Sequence, residues 1–278
     1  MKKRKTYDEL TFTDDFLFCK ILTSNLELCR QLLEMLLGIQ IKEVRLAESQ
    51  KSISITYDGH GVRFDVYMEN DENTVFDIEM QVVADECLPK RLRYYQGMID
   101  LNLISTGVKY KNLRKTCIVF ICMQDPLKAG LPIYHIRNTC VEDNTVEFDD
   151  ESEKVIANVE GSRENLSPEI AAFFDYLKNR RVGSKFTKKL DDEVEKAKDH
   201  VEWRNDYMSL LEKFNREREE GREEGREEGR KEGRKKGREE GHYEDAKAML
   251  ADNMKEDLVS KYTGISLEQI LHLKAAMV

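Results

Sequence analysis

The sequence predicts a mixed-sheet α/β core followed by a helical C-terminal extension, and three observations carry that prediction. Residues 62–82 alternate apolar and polar positions in two runs separated by turn residues, the pattern of a β-hairpin. A helix-length segment opened by Pro89 then leads into Thr116-Cys117-Ile118-Val119-Phe120-Ile121-Cys122, an unbroken apolar run of strand length. Beyond residue 160 the periodicity is largely helical, and a glycine recurs every fourth residue from Gly221 to Gly241.

The first element is helical. Over residues 13–37, Thr13 is a candidate cap, Asp14 and Asp15 occupy the first turn, and Leu26, Leu28, Leu32, Leu33, Leu36 and Leu37 supply the apolar stripe. Thr23-Ser24-Asn25 divides the segment into two helices, and Gly38 ends the second. Ile53, Ile55 and Tyr57 alternate before Asp58-Gly59-His60-Gly61 turns the chain, so the hairpin is expected to be the second part of a three-strand meander.

Within that hairpin, Val62, Phe64, Val66 and Met68 share one face with Phe76, Ile78, Met80 and Val82. The opposite face holds Arg63, Asp65 and Tyr67 beside Asp77, Glu79 and Gln81. A turn centred on Glu72 within Asn70-Asp71-Glu72-Asn73 puts Asp65 directly across from Glu79. Like charges at such a position repel. The carboxylates are therefore either solvated on a wet face, as many antiparallel hairpins allow, or arranged around a cation.

The helix from Pro89 to about Ile104 carries Arg91, Tyr94, Tyr95 and Met98 on neighbouring faces. A strand that returns to a sheet through a helix runs parallel to its partner, so Thr116–Cys122 is expected to lie parallel to the second hairpin strand and to be central. Weaker strand signals fall at Ile133–Ile136 and Lys154–Val159. Helices are expected at Pro168–Leu177 and Asp191–Phe214, the latter with Val194, Ala197, Val201, Met208 and Leu211 at coiled-coil spacing.

Residues 215–241 are charge-balanced, with ten basic and ten acidic side chains. Each interior glycine costs a helix about 1 kcal/mol relative to alanine, so this segment reads as a marginal helix or an extended linker. The alternative is a glycine-lined helix–helix contact. The tail pairs Leu258–Tyr262 with a last helix announced by the Ser266/Gln269 capping box. Its two helices read as a small packing element, with a helix-turn-helix as the alternative. The chain thus divides into a core over 1–160, a helical extension over 161–214, the charged repeat over 215–241 and a small helical element over 242–278.

Composition limits the function classes. The chain has 278 residues, 40% hydrophobic and 36% charged, with a formal net charge of −9. That charge argues against passive binding of nucleic acid over the whole surface, though not against a local basic groove. Arg91 and Arg93, residues 109–115, and Arg180 to Lys189 are the local basic clusters. No run approaches the ~20 apolar residues of a membrane span. Lys2 to Lys5 are followed by Thr6-Tyr7-Asp8-Glu9 rather than by an apolar signal region, so a cytoplasmic protein is expected. Six cysteines without a CxxC pair read as reduced thiols rather than a zinc site.

Several separate segments also carry a family likeness. Thr13-Asp14-Asp15-Phe16-Leu17-Phe18-Cys19-Lys20, Arg63-Phe64-Asp65-Val66-Tyr67, Asp77-Ile78-Glu79-Met80-Gln81, Arg91-Leu92-Arg93-Tyr94-Tyr95 and Cys117–Cys122 follow one another at a characteristic spacing. In that order they resemble the PD-(D/E)XK nuclease superfamily, and within it the recombination-promoting nuclease / putative transposase family of bacteria. The likeness covers about residues 7–160. It implies a restriction-endonuclease-like core and a metal-dependent DNA endonuclease acting in recombination or mobile-element biology.

The resemblance also implies roles. Asp65 and Glu79 would be metal ligands, the Met80 carbonyl would complete a hard oxygen shell suited to Mg²⁺, and Asp15 would join from the first helix. Arg91 and Tyr95 would contact substrate phosphate. The superfamily's usual lysine is Gln81 here, which can hydrogen-bond but cannot serve as a cation or general base. The expected partners are DNA and a second copy of the chain. Two rivals follow: a catalytically silent nuclease-fold module that binds DNA or regulates, and a scaffold that oligomerises through its C-terminal helices. Nothing in the sequence points to strand transfer.

Overall fold

The computed structural model describes residues 4–46, 52–53, 62–104 and 109–277, with backbone alone at 52–53 and 62–63. It divides into two compact units, Met1–Tyr207 and Met208–Val278.

The first unit opens with α1 (Asp15–Ser24) and α2 (Leu26–Leu37). Asp14, not Thr13, is the N-cap of α1. The break falls at Asn25, whose side-chain oxygen accepts the Leu28 N–H and so starts α2. Gly38 takes the left-handed conformation (φ 67°) that ends it. β1 (Val44–Leu46), β2 (Ser52–Ile53), β3 (Val62–Arg63), β4 (Val66–Asn70) and β5 (Val75–Gln81) follow. α3 (Leu88–Leu103) leads to β6 (Thr116–Cys122), then β7 (Ile133–Ile136) and β8 (Ser152–Asn158).

Six strands form one mixed sheet in the order β1-β4-β5-β6-β8-β7. β4 and β5 pair antiparallel with Tyr67 opposite Asp77 and Val66 opposite Ile78, the register that the turn residues predict. β5, β6 and β8 run parallel, as the helical crossover requires. The expected meander is corrected in one respect. The outer neighbour of β4 is β1, whereas β2 and β3 form their own two-stranded ladder. Ile55 and Tyr57 lie outside the described residues.

Both faces of the sheet are covered. α3 packs with Phe64, Tyr67, Val75, Ile118, Phe120, Cys122 and Ile156 through Leu88, Leu92, Met98 and Ile99. Phe64 corrects the expected alternation: the chain bends at Asp65 between β3 and β4, so Phe64 packs with Tyr67 rather than on the face of Val66 and Met68. On the other face α1 packs on β4, α2 packs on β1, and α4 (Pro168–Asn179) and α5 (Lys185–Lys198) close over the helices. Burial on two sides explains why β6 reads as a continuous apolar run.

α6 (Val201–Ala251) corrects one expectation and decides an alternative. The helix predicted over Asp191–Phe214 is interrupted at Asp199-His200, so its first part belongs to α5 and its second to α6. The glycine repeat, for which the sequence left a marginal helix and an extended linker open, is helical and part of α6. In the second unit, α7 (Glu256–Thr263) ends at a left-handed Gly264, and α8 (Leu267–Ala275) starts at the predicted capping box. Ala246, Leu250, Val259, Ile265 and Ile270 form its small core. Among the described residues, no helix is long and apolar enough to cross a membrane. All six cysteines are free, four of them buried.

Candidate functional site

The β4–β5 hairpin is locked at its turn. The Asn70 side chain accepts the Glu72 and Thr74 N–H groups at 3.1 and 2.8 Å, and Asn73 adopts a left-handed φ of 65°. This fixes the register, and the register places Asp65 and Glu79 side by side. The two are joined reciprocally. The Asp65 N–H donates to Glu79 Oε1 at 2.9 Å, and the Met80 N–H donates to Asp65 Oδ2 at 3.3 Å.

The face that holds them is not wet. Asp65 is 8% exposed, Glu79 4% and Asp77 0%. The polar side of β5 lies beneath α3, so three carboxylates are withdrawn from water next to one another. Burial, together with the charge of Asp65, raises the Glu79 pKa to about 8, against a smaller opposing effect of Arg91. Asp77 is pushed well above the usual carboxylate range by burial first and then by the charges of Glu79 and Asp65. Among the described residues, no hydrogen-bond donor reaches either Asp77 oxygen. Its close polar neighbour is Glu79, another acceptor, which can share a hydrogen bond with it only when one of the two carries a proton.

α3 brings the balancing cation. Arg91 Nη1 pairs with Asp85 Oδ2 at 3.0 Å, and its Nη2 lies 3.9 Å from Glu79 Oε2. The guanidinium sits 4.8 Å from the Phe120 ring centroid and 5.5 Å from that of Tyr95. Tyr95 in turn packs edge-on against Phe64 at 5.4 Å. Its phenol pKa is raised by burial and then by the Glu79 charge.

The structure thus brings together Asp65, Glu79, the Met80 backbone, Arg91 and Tyr95. Gln81 lies on the same face of β5 at its exposed end, where its amide donates to the Val83 carbonyl. Asp15 is exposed in the first turn of α1. The side chains that chiefly act on Glu79 are Asp65, Arg91 and Asp77, and Asp15 is not among them. Two further residues belong to the group. Asp85 anchors Arg91. Asp77 shares the Glu79 face, a position that the period-two alternation already marks.

Buried carboxylate oxygens and a backbone carbonyl are the donors that hard divalent cations prefer. Among the described residues no donor reaches either Asp77 oxygen, so this acidic group is short of hydrogen-bond donors. Among the described residues, no group of three or more His, Cys, Asp or Glu side chains is already arranged to hold a metal ion. Asp65 and Glu79 could offer a cation two protein carboxylates, beside the Met80 carbonyl.

Comparison with known proteins gives one match. A family model, PD-(D/E)XK nuclease family transposase, covers residues 12–179, well over half of the chain. No curated protein and no solved structure matches.

Proposed function

Since the chain belongs to the PD-(D/E)XK nuclease transposase family, a nuclease family whose substrate is DNA, we propose that it is a divalent-metal-dependent endonuclease. It hydrolyses phosphodiester bonds in DNA and serves recombination or mobile-element biology in the bacterial cytoplasm. The observation that carries this reading is the reciprocally bonded pair of buried carboxylates, Asp65 and Glu79, inside the segment that matches the family.

In this reading Asp65, Glu79 and the Met80 carbonyl hold Mg²⁺. When bound, such an ion supplies a water of lowered pKa and stabilises charge at the phosphoryl group. The chain's own residues do the rest. Asp65 and Glu79 hold each other through the two backbone N–H bonds, so neither carboxylate needs to search for its position. Arg91, fixed by Asp85 and the aromatic rings beneath it, directs a cation toward substrate phosphate, and Tyr95 borders the same space. Gln81 orients water or phosphate by hydrogen bonding. Asp15 is assigned to the same site from α1. The protein acts as a homodimer, for which the exposed length of α6 offers the surface.

One observation favours a second reading. Gln81 replaces the superfamily's usual lysine and its amide is engaged with Val83, so the fold can persist as a catalytically silent DNA-binding or regulatory module. Nicking of supercoiled plasmid with Mg²⁺ separates the two. Metal-dependent nicking by the native chain, lost in Asp65→Ala and in Glu79→Ala, supports the endonuclease. Divalent-cation uptake by calorimetry without cleavage supports the silent module. Nicking retained in both variants sinks the active-site assignment.

A further inference from the structure

Asp77 is the residue that the reading above leaves unused. It lies in the middle of β5, opposite Tyr67 on β4 and Ile118 on β6, with no solvent exposure. Neither carboxylate oxygen finds a donor among the described residues. Other acids in this chain are well supplied. Asp125 accepts from the Leu127, Lys128 and Gly130 N–H groups and from the Tyr134 hydroxyl, and Asp191 accepts from Tyr176 and Arg180. The groups that act on Asp77 are chiefly Glu79 and Asp65, both acidic. The cation near them, Arg91, is already paired with Asp85. A buried carboxylate left this way is costly, and an asparagine of the same shape would relieve the repulsion and could donate to Glu79.

A carboxylate in that position is compensated when a cation lies within the same acidic group. Asp77 is fully enclosed, and the three acids do not form a ready ligand cage, so direct coordination is not its part. It shares a face of β5 with Glu79, two residues before it in the strand.

Building on the metal-site reading, we propose that Asp77 is a positioning residue of the cation site. It stands two residues from Glu79 on the same buried face of β5, backs the Glu79 carboxylate there, and adds a third carboxylate to the group around the ion. Together these make the site bind a divalent cation more tightly than Asp65 and Glu79 alone.

The test is calorimetric titration of the full-length chain with Mg²⁺ alone at one fixed pH. It compares the native chain with Asp77→Asn, Asp77→Ser and Asp65→Asn, each also followed by thermal unfolding with and without the ion. Asp77→Asn keeps shape and removes charge, and Asp77→Ser provides a smaller uncharged side chain should the amide disturb folding. Both are expected to weaken Mg²⁺ binding about tenfold or more. The metal-free Tm should hold or rise, so the rise in Tm that Mg²⁺ gives the native chain shrinks. A merely structural role for Asp77 predicts the opposite pattern, a Tm lowered equally with and without the ion and an unchanged Kd, and that result overturns the proposal. If the native chain takes up no Mg²⁺, the metal-site reading itself fails. If native and Asp77 variants bind alike while Asp65→Asn does not, only the role of Asp77 fails.

Discussion

Substituting Glu79 by glutamine should change how the stability of the metal-free chain depends on pH. In the folded chain the Glu79 carboxyl titrates near pH 8, against an ordinary value of 4.5, because burial and the Asp65 charge oppose its ionisation. Between those two values the folded state keeps a proton that the unfolded chain releases. Stability is then fully present below about pH 4.5 and is lost as pH rises through about 8. A displacement of that size corresponds to roughly 5 kcal/mol, some of it shared with Asp77. For a domain of this size that amounts to roughly 10 °C in Tm. Glutamine cannot ionise, so Glu79→Gln removes most of the fall. Asp77, also raised, leaves a residual slope that the double variant with Asp77→Asn abolishes. Thermal unfolding in chelator between about pH 5 and pH 8 measures this, with the fluorescence of Trp203, the single tryptophan and a residue of the first compact unit, as the probe. Equal slopes for both chains, or a native Tm that rises with pH across this window, would refute the placement of Glu79 in a desolvated acidic group.

Three further outcomes test the fold around the site. Phe120 is fully buried on β6 beneath Arg91 and Tyr95; Phe120→Ala should cost about 3–5 kcal/mol in denaturant unfolding, and any metal-dependent nicking should fall with it. A Cβ at Gly161 would stand 2.4 Å from the Pro132 Cα, so Gly161→Ala should destabilise by about 1–3 kcal/mol, whereas Gly97→Ala, in α3 with open space around it, should stabilise by ~0.5–1 kcal/mol. Gly225→Ala and Gly229→Ala meet nothing within 4 Å, and each should strengthen α6 by up to ~1 kcal/mol, seen as greater helical circular dichroism and slower proteolysis of the repeat.

Much of the sheet was legible because period-two alternation and turn chemistry act locally. The register of β4 against β5 follows from the turn centre alone, and the parallel β6 follows from the crossover rule. What was not legible depends on distant residues. Whether the acidic face is wet depends on α3 lying over it, and α3 anchors through a short stripe of Leu88, Leu92, Met98 and Ile99 that names no partner. β1 has three residues, of which Val44 alone is buried, too few to show alternation. The stop between α5 and α6 uses Asp199-His200 without glycine or proline. The repeat leaves helix and extended linker both open, because glycine propensity weighed residue by residue makes the helix marginal. Propagating a helix is far less costly than nucleating one, and α6 is packed at Tyr207 in one unit and at Ala246 and Leu250 in the other.

The covering of the acidic face also changes what Gln81 implies. On a wet face, three carboxylates and a glutamine would be ordinary surface, and a missing lysine would remove the feature that separates a nuclease from a solvated hairpin. Beneath α3 the same residues form a desolvated acidic group whose fixed cation, Arg91, comes from the helix rather than from the strand. Arginine stays charged at any working pH and cannot take a proton from water. The chain therefore has a cation near Glu79 without a base at the usual position. In the proposed reaction that leaves activation of water to the bound ion and orientation to Gln81. How strongly the site holds its ion then matters more than it would in a lysine-bearing relative, and Asp77 is the residue placed to set that strength.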